Sequence, residues 1–202
     1  MCLPFYLALH GGSTNLSDLI TNSEGNQAIF RETTGSLFGL ALGRIQGRNL
    51  RTELEVSYRQ VDINGLDLVG PAPQQFLPVA GDLGVISGML NGYWAFNGIG
   101  RFRPYVGGGL GFAFARPDIA DPTGLEVATE DDQSSFAYQW MAGAAYEASS
   151  SLEAFVEYRY FVADSFNLET ELDPAAFAPL GNGSGEFDFR STNILFGFRV
   201  KF

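Results

Sequence analysis

The stretch L-R-T-E-L-E-V-S-Y-R-Q-V-D, residues 50–62, decides the fold. Read at every second position, it separates into two chemistries. Leu50, Thr52, Leu54, Val56, Tyr58 and Gln60 share one face, and Arg51, Glu53, Glu55, Ser57 and Arg59 share the other. Such alternation marks a β-strand, whose side chains leave opposite faces at period two. Four ionisable groups on one face cannot enter a dry core unless they find partners there. The partners must come from another strand.

Residues 152–162 repeat the pattern. Leu152, Ala154, Val156, Tyr158 and Tyr160 oppose Glu153, Phe155, Glu157 and Arg159. Both segments contain V-x-Y-R (Val56, Tyr58, Arg59 and Val156, Tyr158, Arg159), an echo four strands apart that suggests an old duplication. Six further stretches alternate: 5–12, 36–45, 84–96, 105–115, 136–146 and 190–202. Each has one bulky apolar face and one small or polar face, with Gly107, Gly109 and Gly111 on the small face of 105–115.

A soluble sandwich turns its large residues inward. Here the small face suits the crowded interior of a narrow barrel, so the large face is left to meet lipid. Eight closed strands also leave no unpaired edge, the condition for a sheet in hydrocarbon. The expected fold is all-β, an eight-stranded antiparallel up-and-down transmembrane β-barrel, with residues 1–202 as a single domain.

Connections alternate in length. Residues 46–49, 97–101 and 148–151 are tight and rich in Gly, Asn or Ser, whereas 13–32, 64–82, 116–133 and 164–187 are long. Transmembrane barrels place short turns on the periplasmic side and long loops outside, which puts both termini in the periplasm. Acidic residues crowd the long loops, and Arg44, Arg48, Arg51, Arg101, Arg103, Arg199 and Lys201 gather toward the tight turns.

Composition removes other classes. No window reaches the roughly 18–20 uninterrupted apolar residues of a spanning helix. A net charge of −11 argues against a nucleic-acid partner. Cys2 is the only cysteine, so neither an intramolecular disulfide nor a thiolate metal cluster is expected. The opening M-C-L-P shows no basic segment, apolar segment or cleavage site, so the export signal is expected to be truncated, removed or mis-started.

Several pieces together resemble the OmpA-type family of small outer-membrane barrels, including the porin-family barrels grouped with it. They are R-T-E-L-E-V-S-Y-R (51–59), M-L-N-G-Y-W-A-F (89–96), R-P-Y-V-G-G-G-L-G (103–111), F-A-Y-Q-W-M-A-G-A-A-Y (136–146), L-E-A-F-V-E-Y-R-Y (152–160) and L-F-G-F-R-V-K-F (195–202). The resemblance implies an outer-membrane location and a surface or envelope-organising role, with adhesion or a small gated conductance as possible additions. It implies lipid bilayer and lipopolysaccharide as surroundings and a monomer as the unit. Phe196, Phe198, Val200 and Phe202 resemble the signal read by the barrel-assembly machinery.

The residues with candidate roles follow from position. Arg51, Glu53, Glu55, Arg59, Glu153, Glu157 and Arg159 are expected to form a lumen salt-bridge network, and a gate that exchanges partners is the functional variant. Tyr58, Trp94, Phe96, Trp140, Tyr146, Tyr158 and Tyr160 read as an interfacial girdle, with Tyr105, Phe198 and Phe202 beside them. His10, the sole histidine, lies near Ser13, but no nucleophile motif accompanies it, so no enzyme is expected. The acidic runs 130–132 and 169–173 lack the spacing of a calcium loop, so neither metal nor cofactor is expected. Two rival readings are a narrow porin-like channel and a soluble lipocalin-like calyx around a small apolar ligand. In the calyx the large face would be interior and the charges outside.

Overall fold

The computed structural model describes residues 4–16, 20–23, 26–30, 34–63, 66–69, 75–77, 81–119, 133–168 and 185–202. Eight long strands carry the fold: β1 (Phe5–Leu16), β4 (Thr34–Gln46), β5 (Leu50–Ile63), β8 (Gly81–Ala95), β9 (Phe102–Ile119), β10 (Gln133–Glu147), β11 (Leu152–Leu168) and β12 (Gly185–Lys201). They close into one antiparallel barrel in the order β1-β12-β11-β10-β9-β8-β5-β4. The closing seam pairs Tyr6 with Lys201 and continues to Leu16 with Ser191. Phe5 and Phe202 meet there, where Phe202 N donates to Phe5 O at 2.9 Å.

Four short strands lie outside the barrel: β2 (Ile20–Ser23), β3 (Asn26–Phe30), β6 (Leu66–Val69) and β7 (Gln75–Leu77). They form a separate sheet in the order β2-β3-β6-β7, so the first two long connections pair with each other. This departs from the expectation of plain loops in 13–32 and 64–82. The barrel strands also run further than the alternation indicated, β9 to Ile119 and β11 to Leu168. Backbone pairing needs no alternation of side chains, so it can continue past the end of the period-two signal.

The tight turns close as their residues require. Gly47 adopts φ 72° and Gly100 φ 64°, left-handed conformations that favour glycine. In the third turn, Ser149 Oγ accepts from Leu152 N at 3.0 Å.

The wet side of the sheet follows from burial. Phe112, Phe196 and Val156 face outward at 59%, 65% and 42% exposure, while Glu53 and Arg159 face the lumen at 4% and 1%. This overturns the calyx. Among the described residues, thirty large apolar side chains stand exposed on the outside, an apolar surface that a monomer in water does not carry. On β12 the apolar band runs from Phe202 to Ile194, and eight residue steps along a tilted strand span roughly 20 Å, close to a bilayer core.

The glycines have a specific partner arrangement. Met89, Asn91 and Tyr93 on β8 stand directly across from Gly111, Gly109 and Gly107 on β9. A Cβ on Gly107 would strike the Tyr93 ring, one on Gly109 the Asn91 amide, and one on Gly111 the Met89 sulfur and the Gly88 carbonyl. The same relation joins Tyr6 to Gly43 and His10 to Gly39 across β1 and β4, and Phe155 to Gly197 across β11 and β12. Each large lumen side chain of this set leans over an empty place on its neighbour.

Candidate functional site

The lumen is the chemically dense part of the protein. β5 and β11 lie four strands apart in a ring of eight, so they face each other across the barrel. Their inward-facing charges meet there. Arg159 Nη1 and Nη2 fork onto the two oxygens of Glu55 at 2.5 and 3.1 Å, and the same guanidinium reaches Glu157 Oε1 from Nε at 3.1 Å and from Nη2 at 2.8 Å. Asn91 donates to Glu55 at 2.9 Å, Gln139 donates to Asn91 at 2.8 Å, and Tyr105 OH donates to Glu157 at 3.0 Å. The carboxylates thus have neutral donors as well as a cation, the condition under which a buried pair is tolerated.

A second cluster lies nearer the tight turns. Arg51 donates to Glu153 at 2.7 Å and Arg199 donates to the same oxygen at 2.9 Å, with Lys201 3.2 Å from the other. Tyr6 OH donates to Glu53 at 2.6 Å, and Arg199 Nε stands 3.5 Å from that carboxylate. The Arg199 guanidinium also lies 3.8 Å from the centre of the Phe155 ring.

Arg59 differs. It reaches Ser57 Oγ at 3.0 Å and Ser87 Oγ at 2.8 Å, and its guanidinium lies 3.8 Å from the centre of the Phe161 ring. No carboxylate pairs with it among the described residues, and Nε and Nη2 find no acceptor there. On the loop side of it the lumen turns apolar, with Leu16, Val61, Val85, Phe161 and Phe189 clustered.

Of the seven charges expected in one network, six form ion pairs and Arg59 is held by hydroxyls and an aromatic face instead. The structure adds Arg199, Tyr6, Tyr105, Asn91, Gln139 and His10. Tyr105 is a correction, since it points inward rather than joining the outer aromatics. Its parity with Gly107 and Gly109 carried that information. Tyr58, Trp94, Phe96, Trp140, Tyr146 and Tyr158 are exposed outside, and Tyr160 is half-buried on the same face. Phe196, Phe198, Val200 and Phe202 also point outward.

His10 Nε2 lies 3.9 Å from Glu55, but Ser13 leaves the opposite face of β1, so the two cannot form a nucleophile–base pair. No group of three potential metal ligands occurs among the described residues. The acidic runs 130–132 and 169–173 lie outside the described residues.

Among the described residues the interior is densely filled: Arg59, Glu55 and Glu153 have no measurable exposure and Arg159 has 1%. Four arginines and four glutamates are buried in the lumen among the described residues, and Lys201 reaches Glu153 at its tight-turn end.

The sequence model described as "Outer membrane protein beta-barrel domain" matches residues 4–202. Among solved structures, Neisserial surface protein A aligns at a TM-score of 0.60 and 18% identity, covering 98% of this chain and 97% of that one. The outer membrane protein OprG from Pseudomonas aeruginosa aligns at 0.62 and 18%, with the same coverage. The outer membrane protease OmpT from Escherichia coli aligns at 0.53 and 10%, covering 100% and 98%. These likenesses show the fold. No curated protein matches the chain in sequence.

Proposed function

The chain belongs to the outer membrane β-barrel domain family, and from that membership we propose that it is a non-catalytic envelope protein. In this reading a sealed barrel anchors acidic loops at the cell surface, with at most a small gated conductance. The observation that supports the reading is the lumen, where, among the described residues, ion pairs cross the diameter and an apolar layer lies beyond them. A working pore needs a continuous polar passage. A barrel filled with side chains serves as a rigid support, and loops on a rigid support are where recognition concentrates.

The same reading makes the barrel a monomer in a bilayer with lipopolysaccharide on its loop side. The assembly machinery would recognise Phe196, Phe198, Val200 and Phe202 at the end of β12. The separation of His10 from Ser13 supports the absence of catalysis.

Single-channel recording in a planar bilayer tests the sealed lumen. The unaltered protein should show no steady open level, and Arg59→Ala combined with Arg159→Ala should produce one. A sustained open level in the unaltered protein would favour the narrow channel over the support. An unchanged record in the double variant would remove the gate.

A further inference from the structure

Charge is segregated along the barrel axis. Of 23 acidic residues, four glutamates lie in the lumen, Glu147 lies beside a tight turn, the other seven described ones fall at the loop end, and eleven lie outside the described residues. Of 12 basic residues, four arginines lie in the lumen, Arg116 and Arg190 fall at the loop end, Arg31 lies outside the described residues, and five remain by the tight turns. Those five are Arg44, Arg48, Arg101, Arg103 and Lys201. The tight-turn rim is therefore positive on a molecule of net charge −11.

Two of the five are already engaged. Arg103 donates to the Arg48 carbonyl at 2.7 Å and stands 3.4 Å from Glu147, while Lys201 stands between Glu147 and Glu153. Arg44, Arg48 and Arg101 are exposed and have no carboxylate within ion-pair distance among the described residues. They lie in one sector, since the turn bearing Arg48 is tied to the turn bearing Arg101 through Arg103 and through Asn49 Nδ2, which donates to Ala95 O at 2.6 Å.

Arg44 fixes the depth of this sector. It leaves the outward face of β4, in line with Leu42 and Leu40, and its guanidinium lies 5.6 Å from the centre of the Phe5 ring. Among the described residues it is the one charged side chain on the outward face in the half of the barrel nearer the tight turns. A cation at the last step of an apolar band sits where headgroups begin, and its stem lets it reach them.

We propose that Arg44, Arg48 and Arg101 form a docking surface for anionic phospholipid headgroups of the leaflet at the tight-turn end. A guanidinium presents a planar fork that matches phosphate oxygens, and three of them without protein counter-ions favour that partner over a zwitterionic lipid. The inference rests on the bilayer placement proposed above.

The protein carries its own probe. Arg44, Thr52 and Gly92 form one cross-strand row, and Trp94 is the next outward position toward the turn. Trp140→Phe leaves Trp94 as the only tryptophan. That protein is reconstituted in phosphatidylcholine vesicles containing phosphatidylglycerol, and Trp94 quenching is compared for brominated forms of each lipid. Phosphatidylglycerol should be preferred by about five-fold at low salt, the factor expected of one basic residue at an anionic surface. Arg44→Gln, Arg48→Gln and Arg101→Gln together should remove the preference, as should high salt.

Equal quenching by the two lipids in the parent overturns the proposal, and so does a preference that survives the triple variant. Quenching of Trp94 by neither lipid overturns the bilayer placement itself.

Discussion

Arg159→Ala is the sharpest perturbation of the lumen. The substitution deletes all four guanidinium hydrogen bonds to Glu55 and Glu157 and leaves two carboxylates facing each other without their cation. Glu55 keeps one donor, Asn91, and Glu157 keeps one, Tyr105. A neutral donor to each is not enough to offset a buried charge. Removing one member of a buried pair costs about 3–5 kcal/mol, and two stranded carboxylates place this case at about 4 kcal/mol or above.

Arg159→Met combined with Glu55→Gln and Glu157→Gln should recover most of that loss. Without charges, the desolvation cost that the pair was offsetting disappears. Urea unfolding of protein reconstituted in detergent, followed by tryptophan emission, measures both variants. A loss below about 1 kcal/mol for Arg159→Ala would mean that water reaches the site and screens it. In that case the lumen is not sealed. A triple variant no more stable than the single one would refute the charge accounting as well.

Three further outcomes follow from the same geometry. Arg59→Met should change stability by no more than about 1 kcal/mol in the same titration, because the cation–π contact with Phe161 it loses is balanced by removing a buried charge with no carboxylate partner. Gly109→Leu should abolish the folded, heat-modifiable band on a gel, since its first side-chain carbon would fall on the Asn91 amide; a normal folded band would show that the lumen has slack. Phe202→Ala should slow assembly in cells while leaving refolding in detergent unchanged; equal slowing in both would make its role purely one of packing.

Much of the barrel could be read directly from residues 50–62 and 152–162, because lipid outside and packed polar groups inside impose opposite demands on alternate positions. That parity also placed Glu55 and Arg159 in the lumen. Which partner each charge would take was not legible. Arg59 and Arg159 stand in the same V-x-Y-R context, yet one forks onto Glu55 and the other lies on Phe161. The difference arises from what stands across the barrel at each level, and no local pattern encodes that. Tyr105 was misread because an aromatic near a strand end suits either face. The paired strands in the long connections were missed since, without a lipid face, nothing forces alternation on them.

The seating of large lumen side chains over glycines has a consequence for how this interior can change. Space is allotted to the rung, a pair of facing positions, rather than to the single residue. Bulk gained at Gly109 has to be surrendered at Asn91, and bulk gained at Gly39 at His10. Substitutions in the lumen should therefore arrive as compensating couples on adjacent strands, while positions facing lipid drift one at a time, held only to being greasy.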